Sequence, residues 1–184
     1  MKKIISFSLI LLCAILFNTR AHAQRYTVGG YGLQAEAVFR QDFSFRNDFS
    51  AGFFYNLNDY KRLIIDVNLI NTKAIDNEIE KAYKDYIGSL SYSFNIISLF
   101  QHGANLNLNI GPNLGYRHID QFGINETSKE KGKFLYGGVA GLEVQIYVLG
   151  GLSALLHSQI RYLGHLVDSR WLLTNAVGLR YEFL

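Results

Sequence analysis

Apolar and polar residues alternate along this chain with a period of two, in eight segments of about ten residues that are rich in Tyr, Phe, Leu, Ile and Val. This period is typical of β-strands, because successive side chains point to opposite faces of a sheet. The cleanest case is the fifth segment, where Asn105, Asn107 and Asn109 are interleaved with Leu106 and Leu108. The pattern predicts an all-β protein with eight strands.

The connections between the predicted strands alternate in length. Those after the second, fourth and sixth segments are short, at residues 58–61, 97–103 and 149–151, whereas the other four are longer and polar. A soluble β-sandwich has no such systematic pattern of connection length. Short turns on one side and long loops on the other are typical of outer-membrane β-barrels, in which an even strand number places both termini in the periplasm. We therefore predict an eight-stranded antiparallel transmembrane β-barrel whose apolar faces contact outer-membrane lipid.

The first 23 residues have the pattern of a secretory signal peptide. Lys2 and Lys3 precede an apolar run at residues 4–17, and Ala21-His22-Ala23 forms a small-x-small cleavage site. The apolar run is shorter than the roughly 20 residues that a membrane-spanning helix needs. We expect cleavage after Ala23, which leaves a single barrel domain at residues 24–184 in a bacterial outer membrane.

Composition and charge exclude several classes of function. The only cysteine, Cys13, lies in the predicted signal peptide, so a disulfide or a Cys-based metal site is not expected in the mature chain. The chain has 18 basic and 15 acidic residues, and three of the basic ones, Lys2, Lys3 and Arg20, precede the cleavage site. The mature chain is therefore balanced in charge, and direct binding of nucleic acid is not expected.

Seven ionisable residues fall on the polar faces of the predicted strands and hence on the inside of the barrel. Side chains fill the interior of an eight-stranded barrel, and a buried charge without a partner costs several kcal/mol. We therefore predict a mutually paired interior network, in which Arg180 and Glu36 are neighbours across the closure of the barrel. Its members are Glu36, Asp66, Glu143, His157, Arg161, Arg180 and Glu182.

A catalytic pair is suggested by the adjacent residues His157 and Ser158, since some eight-stranded outer-membrane barrels modify lipid with His and Ser groups. Adjacent residues of a strand point to opposite faces, so these two side chains cannot form a hydrogen bond within a regular strand. We interpret His157 as a member of the interior network and predict that the protein is not an enzyme.

Cofactor and metal motifs are weak in this sequence. Residues 30–35 fit the G-x-G-x-x-A form of a dinucleotide-binding fingerprint, but they lie at the start of a predicted strand with no helix after them. His102, His118 and His165 are predicted to lie in turns or loops without metal-ligand spacing. Residues 117–133 mix both signs of charge, which is typical of a solvated extracellular loop. We therefore expect no cofactor and no metal site.

A resemblance to a known family is carried by short segments spread along the chain. They are Val28 to Leu33, Phe134-Leu135-Tyr136-Gly137-Gly138 running into Leu142-Glu143, the strand of Arg161, Val177-Gly178-Leu179-Arg180, and Gln24-Arg25 at the predicted mature terminus. With these segments the chain resembles the conjugal transfer protein TraO family of Bacteroidetes conjugative elements. The resemblance implies an outer-membrane component of a conjugative DNA-transfer apparatus, with other proteins of the apparatus as partners and no catalytic residues.

Two alternative functions stay open at the level of sequence. One is a general small outer-membrane barrel that binds a ligand or stabilises the envelope, and the other is a lipid-modifying enzyme. A filled eight-stranded barrel cannot pass DNA, so a role in conjugation is expected to be scaffolding or surface contact.

Overall fold

The computed structural model of the chain describes six stretches of residues and eight β-strands. The stretches are residues 27–40, 45–76, 79–99, 103–121, 132–164 and 169–183. The strands are β1 Tyr31–Arg40, β2 Phe45–Asn58, β3 Lys61–Asp76, β4 Ile79–Leu99, β5 Ala104–Gln121, β6 Lys133–Leu149, β7 Leu152–Gly164 and β8 Ser169–Phe183. The predicted signal peptide at residues 1–23, His102 and His165 lie outside the described residues.

The eight strands form one closed barrel in which each strand pairs antiparallel with its neighbours in sequence, and β8 closes the barrel against β1. The predicted eight-stranded antiparallel barrel is therefore confirmed. The predicted Arg180–Glu36 pairing across the closure is wrong by two residues, because Arg180 lies opposite Gln34 and Glu36 lies opposite Gly178. Alternation assigns a residue to a face, but it does not fix the register between the first and last strands.

The faces of the strands follow the predicted alternation. Outward residues such as Leu33, Ile65 and Leu179 are each more than half exposed, whereas the inward residues Arg161 and Arg180 are each 1% exposed. The arrangement is the reverse of a soluble protein, since apolar side chains cover the outside and polar side chains fill the centre. Among the described residues, no helix is long and apolar enough to cross a bilayer.

The β2–β3 and β6–β7 connections are tight turns at the end of the barrel that carries Tyr31 and Phe183, which we call the near end. The β6–β7 turn consists of Gly150 and Gly151, with φ angles of 50° and 84°. Two consecutive residues with positive φ are the requirement of a type I′ hairpin turn, which glycine meets without strain. The short β6–β7 connection is thus explained by turn chemistry.

Apolar side chains occupy part of the interior that alternation assigned to polar groups. Phe54 of β2 points inward and is fully buried. Two guanidinium groups stack over its ring. The guanidinium carbon of Arg62 lies 4.5 Å from the ring centroid, and that of Arg180 lies 5.2 Å from it. Toward the opposite, far end of the barrel, a second group closes the interior, and it consists of Ile70, Ile87, Leu135 and Leu163.

Strands β3, β4 and β5 extend past the others at the far end. The β3–β4 pairing continues from Asn71↔Lys84 to Asp76↔Ile79, and the β4–β5 pairing reaches Lys81↔Gln121, whereas the β2–β3 pairing ends at Phe49↔Leu69. We call residues 71–76, 79–84 and 118–121 the arm. The sequence predicted long loops here, because alternation detects only strands that have one apolar face.

Candidate functional site

The interior network is centred on Arg180 of β8. Its Nη1 and Nη2 donate to Oε1 and Oε2 of Glu143 at 2.7 and 2.8 Å. Its Nε and Nη2 donate to Oε1 of Gln34 at 3.1 and 2.6 Å, and its Nη1 also donates to Oε1 of Gln145 at 3.1 Å. A guanidinium presents its donors in a rigid planar fork, so a two-bond pair with a carboxylate fixes the orientation of both side chains. Arg180 thereby links β8 to β6 and β1.

Glu143 of β6 is fully buried and accepts bonds from the asparagines of β5 as well as from Arg180. Asn107 Nδ2 donates to its Oε1 at 3.0 Å, and Asn109 Nδ2 donates to its Oε2 at 3.3 Å. The asparagines that made the fifth segment the clearest strand in the sequence therefore serve as donors to a buried carboxylate.

A second ion pair joins opposite walls of the barrel. Arg161 of β7 lies with its Nη2 3.7 Å from Oδ1 of Asp66 on β3. The same Nη2 donates to Oδ1 of Asn68 at 2.8 Å, and Nη1 donates to Oγ of Ser89 at 3.3 Å. Asn68 in turn donates to the Asp66 carboxylate. Asn68 and Ser89 thus help to hold the Arg161 guanidinium in place, and Asn68 also holds the Asp66 carboxylate.

His157 and Glu36 lie together in the centre. His157 Nδ1 is 3.6 Å from Glu36 Oε2, and the two side chains are 9% and 2% exposed. Gln34 Nε2 donates to the other oxygen of Glu36 at 3.4 Å, and His157 Nε2 lies 3.4 Å from Nδ2 of Asn109. The position of His157 on the inside follows from the alternation of β7.

Glu182 lies apart from the other predicted members, at the near end. Its Oε1 accepts bonds from Nδ2 of Asn56 at 2.8 Å and from the backbone N–H of Thr27 at 3.3 Å. Asn56 accepts a bond from Arg62 Nε at 2.8 Å, and Arg62 Nη1 reaches Gln145 at 3.2 Å. Glu182 is therefore connected to the centre only through intermediates.

The predicted set of interior residues omitted four charged side chains among the described residues, Asp48, Arg62, Asp85 and Arg117. Arg62 is fully buried, and the alternation of the third segment already placed it on the polar face. Arg117 of β5 forms two bonds with Asp85 of β4, Nε–Oδ1 at 2.7 Å and Nη2–Oδ2 at 3.0 Å. Residues 117–121 are strand rather than loop. The sequence analysis assigned Arg117 to a loop because the alternation of apolar and polar residues ends there.

His157 and Ser158 lie on opposite sides of the barrel wall. His157 points into the interior, whereas Ser158 is exposed on the outside. The two side chains therefore form no nucleophile–base pair, as the alternation of the strand predicted.

Side chains fill the centre of the barrel almost completely. A cavity of about 10 Å³ remains beside Glu36, Asp66, Asn109, His157 and Arg161. That volume matches a single water molecule. This cavity offers room for a single water molecule, and in the described part of the barrel the two ion pairs cross the interior.

Comparisons with known proteins place the chain by fold. No family model matches the sequence, and no curated protein matches it either. Among solved structures, the N-terminal β-barrel domain of Pseudomonas aeruginosa OprF is 12% identical with a TM-score of 0.61, covering 85% of this chain and 98% of that chain.

Two further structures show the same architecture. A major outer membrane protein from Thermus thermophilus has a TM-score of 0.62 at 10% identity, covering 84% of this chain and 98% of that chain. Neisserial surface protein A has a TM-score of 0.56 at 17% identity, covering 83% of this chain and 97% of that chain. At these identities the likeness is one of fold. The chain has the fold of small eight-stranded outer-membrane β-barrels.

Proposed function

We propose that this chain is an outer-membrane β-barrel that serves a conjugative DNA-transfer apparatus as a structural component, with both termini in the periplasm. The single observation that carries the structural role is the filled interior. Two ion pairs, Arg180–Glu143 and Arg161–Asp66, cross the space that a channel needs. Such a barrel anchors and presents other parts of a complex, and DNA does not pass through it.

The outer surface supports a position within a lipid bilayer. Aromatic rings are in contact at the near end, where Tyr31 and Phe183 lie 5.4 Å apart. Other rings are in contact toward the far end, where Tyr162 and Trp171 lie 5.0 Å apart. Two aromatic girdles around an apolar band are characteristic of transmembrane barrels. The short turns of the near end are the kind that faces the periplasm.

The conjugation part of the proposal is supported by the resemblance of residues 28–33, 134–138, 142–143 and 177–180 to the TraO family. Residues 31–33 lie on β1, 134–138 and 142–143 on β6, and 177–180 on β8, so the resemblance includes the two strands at the closure of the barrel. These segments contain Glu143 and Arg180, the central ion pair. The resemblance therefore falls partly on residues that hold the barrel together, which is consistent with a structural role.

Deletion of the gene from its host element tests the proposal. We expect the frequency of conjugative transfer to fall, and a plasmid copy of the gene to restore it. Ser158→Ala is the informative variant, because it removes the one exposed hydroxyl next to His157 without altering the interior. It should restore transfer as well as the unaltered gene does.

Each outcome of the mating assay selects between functions. If deletion leaves the mating frequency unchanged, the role in conjugation is rejected. The remaining function is then that of a general small outer-membrane barrel. A Ser158→Ala protein that inserts in the membrane but fails to restore transfer would contradict the structural role. Heat-modifiable gel migration, which reports a folded barrel, shows whether each variant has inserted.

A further inference from the structure

The outer wall of the barrel carries two polar side chains within its apolar band. Ser158 of β7 and Asn175 of β8 point outward, and they lie directly opposite each other in the pairing of the two strands. The other described outward residues between the two aromatic girdles are apolar or aromatic. Along β8, Asn175 is separated by four positions from Trp171 toward the far end and by six from Tyr181 toward the near end. The polar pair therefore lies well inside the band that contacts lipid.

Polar side chains at this depth find no partners in the lipid. The acyl chains at the centre of a bilayer have no hydrogen-bonding groups, so an amide that stays unpaired there is unfavourable. Neither Ser158 nor Asn175 forms a side-chain hydrogen bond within the described part of the chain. Polar side chains inside a membrane usually meet polar groups of a neighbouring segment. We therefore expect this part of the wall to face another molecule.

The two polar side chains also border a groove in the wall. The groove has a volume of about 580 Å³ and is lined mainly by apolar side chains of β1, β5, β6, β7 and β8. Phe39 lies opposite Asn175 on the β1 side, and Leu142 lies opposite Ser158 on the β6 side. Serine is much smaller than leucine or phenylalanine, so the wall is recessed at Ser158. The groove thus accepts apolar side chains of a neighbour and presents an amide to it.

The depth and chemistry of the polar pair indicate which neighbour fits. A lipid would leave the Asn175 amide unpaired, because the polar groups of a lipid lie at the bilayer surface. A second copy of this chain, inserted in the same direction, carries its own Asn175 at the same depth. A two-fold axis along the membrane normal brings the same surface of both copies together. An amide has two donors and an acceptor, so Nδ2 of each Asn175 can donate to Oδ1 of the other.

We propose that this groove is the contact surface of a symmetric dimer within the membrane, in which the two Asn175 amides pair and apolar side chains of each copy pack into the groove of the other. Association inside lipid depends on hydrogen bonds between polar side chains and on close packing at small residues, because burial of apolar surface gains little there. Asn175 contributes its amide, and Ser158 contributes its small size. The dimer requires the position in the membrane and is independent of the role in conjugation.

Association of the whole chain in lipid vesicles tests the dimer. Energy transfer between copies labelled with donor and acceptor dyes measures the dissociation constant as the protein is diluted with lipid. Asn175→Leu should raise this constant by about tenfold, because it removes the amide pair and keeps the size of the side chain. Ser158→Leu should also raise it, because the larger side chain fills the recess. Ser158→Ala should leave it unchanged, since alanine is as small as serine.

Val67 on the opposite wall provides the matched control. It points outward on β3, six residues after the first residue of its strand, as Ser158 does on β7. Val67→Leu should leave the dissociation constant unchanged. In a chain in which Cys13, the only cysteine, is replaced by serine, Ser158→Cys should be linked into a dimer by a short thiol cross-linker in membranes. Val67→Cys should not be linked. Heat-modifiable migration shows that each variant is folded.

Three results would overturn the proposal. One is a folded wild-type chain that stays monomeric in vesicles at every ratio of protein to lipid, which would leave the groove to a lipid or to a different protein. Another is an Asn175→Leu chain that associates as tightly as the wild type. The third is equal cross-linking through Val67→Cys and Ser158→Cys, which would show random collision of the barrels rather than a defined contact.

Discussion

Arg180 of β8 and Glu143 of β6 face each other over β7 with two parallel hydrogen bonds, at 2.7 and 2.8 Å between their nitrogen and oxygen atoms. The pair joins strands that do not touch within the sheet, since β7 separates them in the wall. It is therefore a tertiary connection that backbone pairing cannot replace.

Arg180→Met should destabilise the barrel by about 3–5 kcal/mol, because Glu143 is then a buried charge without its main partner. Urea titrations in lipid vesicles measure the free energy of unfolding. Lys61→Met, which removes an exposed positive charge at the start of β3, serves as the control and should change stability by less than about 0.5 kcal/mol. Similar losses in the two variants would show that the Arg180–Glu143 pair does not stabilise the barrel. The double variant Arg180→Met/Glu143→Gln should be more stable than Arg180→Met alone.

Leu108→Arg should destabilise the barrel by about 2–4 kcal/mol, since Leu108 points outward opposite Leu142, near the middle of β6, at the depth where lipid excludes charge most strongly. Leu57→Arg is the matched control, because Leu57 also points outward but lies beside the β2–β3 turn. Its cost should be about 0–1 kcal/mol. The same titrations compare both variants, and equal costs would contradict the proposed position of the barrel in the bilayer.

Gly137→Ala should destabilise the barrel by about 1–3 kcal/mol, the usual cost of overpacking. A Cβ at this position would overlap the backbone carbonyl oxygen of Tyr162 on the neighbouring strand. Gly88→Ala is the control, since a Cβ there comes no closer than 3.8 Å to the carbonyl oxygen of Leu114. It should be neutral or stabilise by about 0.4–1 kcal/mol. If thermal unfolding shows equal effects, close backbone approach is not the reason for glycine at Gly137.

The sequence predicted the strands and their faces well, because lipid outside and polar groups inside impose strict alternation on every strand of a barrel. Alternation also places Phe54 and Ile87 on the inward faces, but it does not explain why apolar side chains stand there among polar ones. Their burial depends on what crosses the interior from other strands, such as the guanidinium groups above Phe54. Local pattern contains no information about such contacts.

The sequence predicted which residues of the site point inward, but it did not predict how their side chains are arranged relative to one another. Alternation placed Glu36, Glu143 and His157 on polar faces, but their convergence depends on register and on the tilt of the strands around the barrel. For the same reason the partner of Arg180 was misassigned by two positions.

The arm makes one side of the barrel different from the other sides. Residues 71–76 extend β3 by about 20 Å at the usual rise of a strand, and among the described residues β4 and β5 accompany it. A molecule that touches the arm is therefore held to one side of the barrel axis.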